Sequence, residues 1–219
     1  MMFARGAVVA LCFTFALAPA PARADAGPTE VRIDWAQGVV TARGVGIANR
    51  HAPSPAAARG PSRRLAEDAA RQRLTTGIGT VPLAAGGTLA DKLADPTVKA
   101  RVEGAVAAAL VVDATPETDG SWTVTMGVPL EALRQALAGP RTLGAAADDG
   151  PPIVILDGVT AAPGLGITVD KLAAPTLWVK DLPAWAKSAP RVKATSATGG
   201  AITTPGTKAT ASTLFVIVR

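Results

Sequence analysis

Residues 110–130 read Leu-Val-Val-Asp-Ala-Thr-Pro-Glu-Thr-Asp-Gly-Ser-Trp-Thr-Val-Thr-Met-Gly-Val-Pro-Leu. β-branched residues crowd 110–115 and again 121–128, and Thr118-Asp119-Gly120 separates the two runs. Asp-Gly supplies the positive φ that a hairpin turn requires, so this stretch is predicted to be two antiparallel strands. Pro129 then opens a helix over 130–138 that ends at Gly139-Pro140. A hairpin running straight into a helix is the mark of an α+β chain, with helices packed on a mainly antiparallel sheet.

Upstream, Val31, Ile33 and Trp35 alternate with Arg32 and Asp34, and Gln37-Gly38 interrupts the run before 39–47 resumes it. Residues 29–48 therefore read as a second hairpin. Gly44 and Gly46 inside the returning strand call for a bulge or a close backbone approach. Ser54-Pro55 is a helix cap followed by a first-position proline. The helix is expected over 56–76 with Leu65, Ala69, Leu74 and Ile78 inward and Glu67 paired with Arg71. Pro61 deletes an internal hydrogen bond, so a kink is expected there, the alternative being a stable helix that starts at Pro61. Asp95-Pro96 opens another helix to about residue 107.

Residues 80–89, with Gly86-Gly87, read as a loop or short strand, and 140–151 as a linker or long loop. Beyond the linker no helical period appears. Strand-like segments at 153–156, 166–169, 176–179, 192–195 and 213–218 give a β-rich C-terminal region, 152–219. The last of these is apolar enough to require pairing inside a sheet. There is no internal repeat.

Residues 1–26 have a different character. Arg5 precedes an apolar run over 6–17, and Ala22-Arg23-Ala24 and Ala24-Asp25-Ala26 are small-residue cleavage sites. This is the pattern of a secretory signal peptide, with cleavage expected between Ala26 and Gly27. The apolar run is shorter than the ~20 residues of a membrane span, and no later run of that length exists. Cys12 is a poor lipidation site, since Leu11 precedes it and much of the apolar stretch follows it.

Of 219 residues, 22 are basic and 17 acidic. Loss of 1–26 removes Arg5, Arg23 and Asp25, leaving 20 basic and 16 acidic. The remaining chain, residues 27–219, has no Cys, no Tyr, one His (His51) and five aromatics: Trp35, Trp122, Trp178, Trp185 and Phe215. Disulfides, thiolate metal sites, cysteine nucleophiles and two-histidine zinc motifs are excluded by count. His51 lies in a loop before a proline pair and reads as a solvated histidine, and no Gly-x-Ser-x-Gly elbow occurs. Gly44-x-Gly46 lacks the third glycine of a dinucleotide site, where Asn49 stands, and Gly164-Leu165-Gly166 fails likewise. Asp148-Asp149-Gly150 reads as a solvated turn rather than a calcium ligand set. Asp157 and Asp170 stand alone, with no partner at a glycosidase spacing.

The basic residues are dispersed, and the longest run is Arg63-Arg64, which does not suit nucleic acid. A basic helix face could still touch anionic envelope polymers. Trp178 and Trp185, seven apart around Pro183, are candidates for an exposed binding patch, the alternative being that they close a small core. No residue set here calls for a cofactor or for catalysis.

A set of short segments in order carries a family resemblance: Ile33-Asp34-Trp35, Ala42-Arg43-Gly44-Val45-Gly46, Ser54-Pro55 with Ala57 and Arg59, and Leu65-Ala66-Glu67-Asp68-Ala69-Ala70 with Leu74. Val102-Glu103-Gly104-Ala105-Val106, Asp119-Gly120-Ser121-Trp122-Thr123-Val124 and Val128-Pro129-Leu130 continue it. Over about residues 30–138 the chain resembles the LPP-twenty lipoprotein family of bacterial envelope and flagellar outer-membrane accessory proteins. Ile153-Val154-Ile155-Leu156-Asp157-Gly158 with Gly164-Leu165 is similar to the start of the C-terminal part of long members. The resemblance implies a small α+β domain over 27–139 and a non-catalytic envelope role, and it brings no site residues with it. The chain departs from the family in lacking a convincing lipidation cysteine and in carrying Gly60-Pro61 in its main helix.

The expectation is an exported, non-enzymatic structural or interaction protein of the periplasm or outer envelope, with a protein partner there and an accessory place in a surface assembly. The alternative is a soluble periplasmic module that binds a small or polymeric envelope ligand.

Overall fold

The computed structural model describes residues 31–139, 150–210 and 212–219. The signal-peptide reading, with Ala24, Ala26, Gly27 and Cys12, lies outside them, as do Asp148, Asp149 and most of the 140–151 linker. The architecture is α+β, with an antiparallel sheet under helices and a β-rich C-terminal region.

The first unit is built on β1 (Arg32–Asp34), β2 (Val39–Gly46), β3 (Leu110–Pro116) and β4 (Trp122–Pro129), in the order β1-β2-β4-β3, all antiparallel. Asp34 Oδ1 accepts from the N–H groups of Ala36 and Gln37 and fixes the first turn, where Gly38 has a φ of 67°. The second hairpin is wider than a two-residue turn. Glu117 N–H donates to the Ser121 carbonyl, and Gly120 holds the left-handed position at φ 89°.

Helix α1 (Pro55–Gly77) covers the sheet. Ser54 Oγ caps it by accepting from Ala57 N–H. The helix carries Pro61 within one continuous element, and both Pro61 and Ala57, whose carbonyl loses its donor, are exposed. Water can satisfy that carbonyl, which is why the helix survives the proline.

Ala69, Leu74 and Ile78 of the predicted inward face are buried, but the buried face is wider than predicted. It is a stripe of small residues, Ala58, Ser62, Ala66, Ala69 and Ala70, followed by Leu74, while Leu65 is only half-buried. The stripe lies on Gly44 and Gly46. A Cβ at Gly44 would enter the Ala66 carbonyl oxygen and come within 2.5 Å of Ala70 N, and one at Gly46 would enter the Ser62 carbonyl. The glycines therefore serve a close backbone approach. They make no bulge, since β2 pairs with β4 in unbroken register from Val39 to Gly46. On the outer face Glu67 pairs with Arg63 at 3.0 Å and Arg71 with Asp68 at 3.1 Å, replacing the expected Glu67–Arg71 pair.

After a 3-10 turn (Ile78–Thr80), the segment up to Thr88 runs as a loop closed by a Pro82–Thr88 bridge, and a short helix α2 (Leu89–Lys92) capped by Thr88 and Asp91 follows it. Helix α3 (Pro96–Ala107) starts at Asp95, whose Oδ1 accepts from Thr97 and Val98 N–H. With α4 (Leu130–Ala138) these elements close a core of Val40, Val124, Val128, Leu74, Val102 and Leu133.

The C-terminal region holds two further sheets. β5 (Ile153–Asp157), β8 (Thr176–Val179), β9 (Arg191–Lys193) and β12 (Leu214–Val218) form a parallel sheet in the order β8-β12-β5-β9. The last strand is central and buried on both faces, which its unbroken apolar run requires. The crossovers carry β6 (Thr168–Val169), β7 (Leu172–Ala173), β10 (Ser196–Thr198) and β11 (Ala201–Thr203), which make the second sheet, β10-β11-β6-β7. Phe215, Ile217, Val154 and Leu156 from the parallel sheet pack with Ile167, Val169 and Ile202.

The close approach of α1 to β2 can be tested directly. Gly44→Ala drives a methyl into backbone, so it should lower stability by about 3 kcal/mol in chemical denaturation, the upper part of the overpacking range. Gly104→Ala, in the exposed interior of α3 with open space around it, should raise stability by about 1 kcal/mol.

The caps can be tested with acid. Thr97 N–H holds the Asp95 carboxyl below its ordinary value of 3.8, and Ser121 N–H does the same for Asp119. A depressed folded pKa gives stability that is whole above the unfolded value and is lost as pH falls from about 3.8 through the folded one. Asp95→Asn with Asp119→Asn should therefore flatten the acid limb of stability against pH, measured by chemical denaturation at a series of pH values, and lower neutral stability by the part the two carboxylates contribute.

Candidate functional site

The two units meet along a seam held at three separate places. Trp178 N–H, at the free edge of β8, donates to the Trp35 carbonyl in the β1–β2 turn at 3.0 Å. Ala84 N–H donates to the Leu165 carbonyl and Leu165 N–H to the Pro82 carbonyl, both at 2.9 Å, a short parallel bridge that puts Leu165 into the first core. Gly164 sits so close to Ala84 there that a Cβ would fall 2.6 Å from its nitrogen. Third, Arg134 of α4 donates from Nη1 to the Ala173 carbonyl at 3.1 Å.

Arg134 is 5% exposed. Its Nε and Nη2 hold the two carboxylate oxygens of Glu131, one turn earlier, in a bidentate fork. The carboxylate fixes the plane of the guanidinium, and the remaining edge reaches across the seam. A cavity of about 190 Å³ lies beside this pair, between Leu130 and Leu177.

The larger opening is on the other side of Trp35. A cleft of about 890 Å³ runs between the β1–β2 turn and the parallel sheet, with Trp35, Trp178 and Trp185 in its walls and Arg32, Lys180 and Arg219 beside them. The three indoles do different work. Trp35 is half-buried and packs against both cores. Trp178 is 3% exposed and belongs to the second core, with the Arg219 guanidinium 6.0 Å from its ring centre. Its Nε1 is buried without a hydrogen-bond partner. Trp185, in a 3-10 turn (Ala184–Ala186), is 53% exposed. Of the pair singled out in the sequence, Trp178 thus closes a core and Trp185 faces outward, and both border one cleft.

Sequence reasoning did not find Trp35, Arg32, Lys180 or Arg219. Nothing local links residues 32–36 to 178–185, because the link is a backbone hydrogen bond between a turn and a strand far apart in the chain. The other singled-out groups lie elsewhere. His51 is exposed in a turn closed by Asn49, Asp157 pairs with Arg191 at 3.7 Å, and Asp170 accepts from both Thr204 N–H and Thr204 Oγ1. Among the described residues no three His, Cys, Asp or Glu side chains gather as a metal site, and no helix is long and apolar enough to cross a membrane.

The chain matches no protein-family model and no curated protein.

Arg134→Met should loosen the seam. It leaves Glu131 half-exposed rather than stranded, so the loss should be about 2 kcal/mol, below the roughly 3–5 kcal/mol of a fully buried broken pair. Hydrogen exchange should quicken at residues 172–174 while β4 and α1 keep their protection. Unchanged exchange at 172–174 would contradict the role given to Arg134.

Proposed function

We propose that this chain is a non-enzymatic protein of the bacterial cell envelope, exported behind residues 1–26, that acts by binding. The observation that carries the reading is the cleft, where an exposed indole, three cations and two carboxylates converge at a seam pinned by backbone hydrogen bonds. A site of this size, with rigid walls and a few polar groups at its rim, is the usual form of a ligand pocket. The acids best placed to do chemistry elsewhere are spent on structure: Asp95 and Asp119 on caps and turns, Asp170 on Thr204. The cleft favours the binding-module form of the reading.

The structural form, an accessory component resembling the LPP-twenty family, draws support from a different place. The edge strand β3 leaves Leu110, Val111 and Val112 exposed. An apolar open edge is a surface suited to a protein partner.

A photo-crosslinking residue at position 185, in the full chain expressed in a bacterial envelope, should capture an envelope component that the same residue at position 104 does not. Equal capture at both positions, or none at 185, would count against the cleft as the contact site. Mass spectrometry of the exported protein should find Gly27 at its N-terminus.

A further inference from the structure

We infer that the occupant of the cleft is an acidic oligosaccharide, a short chain of sugar rings bearing carboxylates; this rests on the cleft being the binding site. Three properties of the walls select that class. The first is shape. Trp185 offers a flat apolar indole to solvent and Trp35 a half-buried one, and the C–H face of a pyranose ring packs on such a surface while its hydroxyls stay wet.

The second is charge. Arg32, Lys180 and Arg219 form no ion pair among the described residues, and all three are exposed. Two acids share the lining, Asp34 and Asp181, but Asp34 Oδ1 already accepts two backbone N–H bonds in its turn. The cations outnumber the acids three to two, so the lining keeps one net positive charge toward a ligand's carboxylates, which the two guanidinium groups can take bidentately.

The third property weighs against strand addition by an acidic peptide, the strongest competitor. An acidic peptide would use β8, the edge strand of the parallel sheet, by adding a strand to it. That edge is blocked, because the outward Trp178 N–H is already held by the Trp35 carbonyl. A ligand here meets side chains rather than an open strand edge, which suits a saccharide. The volume, about 890 Å³, has room for several sugar rings.

The test is titration calorimetry with tryptophan emission on the full chain, using a hexamer of galacturonate, with cellohexaose and hexaglutamate as comparators. The galacturonate hexamer should bind and change the tryptophan emission, and its affinity should fall steeply with salt. Trp185→Ala should weaken it about tenfold, as loss of a stacking aromatic anchor does. Arg32→Ala with Lys180→Ala should weaken it by a similar factor and remove most of the salt dependence. Because these side chains are exposed, the variants should keep the parent melting temperature, which separates lost binding from lost folding.

Equal or tighter binding of hexaglutamate, or of cellohexaose, with the same dependence on Trp185 overturns the acidic-saccharide class and leaves the cleft standing as a binding site. Trp185-dependent capture of envelope material that the galacturonate hexamer neither binds nor competes does the same. Binding of no probe, together with envelope capture indifferent to Trp185→Ala, overturns both.

Discussion

The distance between α1 and β2 governs the first unit. Gly44 and Gly46 let the helix backbone rest on the strand backbone, with Ala66, Ala70 and Ser62 filling what little space remains. Dispersion between two closely apposed backbones takes the place of large interdigitating side chains. Because the helix sits so low at this end, the bulky residues gather beyond it. Leu74, Ile78, Val81 and Leu89 pack in one core with Val102 and Val106 of α3 and Leu133 of α4. Ser62 links this contact to the second hairpin. Its hydroxyl lies 2.6 Å from the Gly120 carbonyl, so the start of the helix is tied to the turn that sets the β3–β4 register.

The placement of the second unit depends on the first being fixed in this way. Its three attachments come from the β1–β2 turn, the loop residues Pro82 and Ala84 before α2, and α4, which are carried by different parts of the first core. Attachment at three separated points allows neither hinge nor slide without breaking a hydrogen bond. Trp35 takes part in both the attachment and the cleft, since its carbonyl holds β8 while its ring packs between the two cores. A cleft whose walls are held in this way presents its side chains already oriented, which reduces the ordering a ligand must impose.

Elements whose signals are local were legible in the sequence. Ser54-Pro55, Asp95-Pro96 and Asp119-Gly120 mark helix starts and a turn because cap and turn chemistry is confined to a few neighbouring atoms. The apolar run at the C-terminus announced a buried strand for the same reason. What the residues could not announce was set by distant partners. The small-residue face of α1 became readable only with Gly44 and Gly46 beneath it, since alanine is equally at home in solvent. The parallel pairing of β5, β8, β9 and β12 was hidden because their crossovers contain short strands rather than helices. One local signal was available and missed. Gly199-Gly200, both at positive φ, is a tight turn joining β10 to β11, and the alanine and threonine around it disguised the strands.

The tryptophans show how the cleft differs from an ordinary seam. After residue 26 the chain carries five aromatic side chains, and three of them border this one opening. If the indoles served only to weld the units together, all three would be expected inside. Trp178 is inside and Trp35 nearly so, which is enough to close the joint. Trp185 adds little to either core, and its indole remains largely in water. Covering about 50 Å² of that face would gain about 1 kcal/mol at the usual value for apolar burial. That gain is left unrealised by folding. It is open to whatever enters the cleft, and the proposed acidic saccharide would meet the three cations beside it as well.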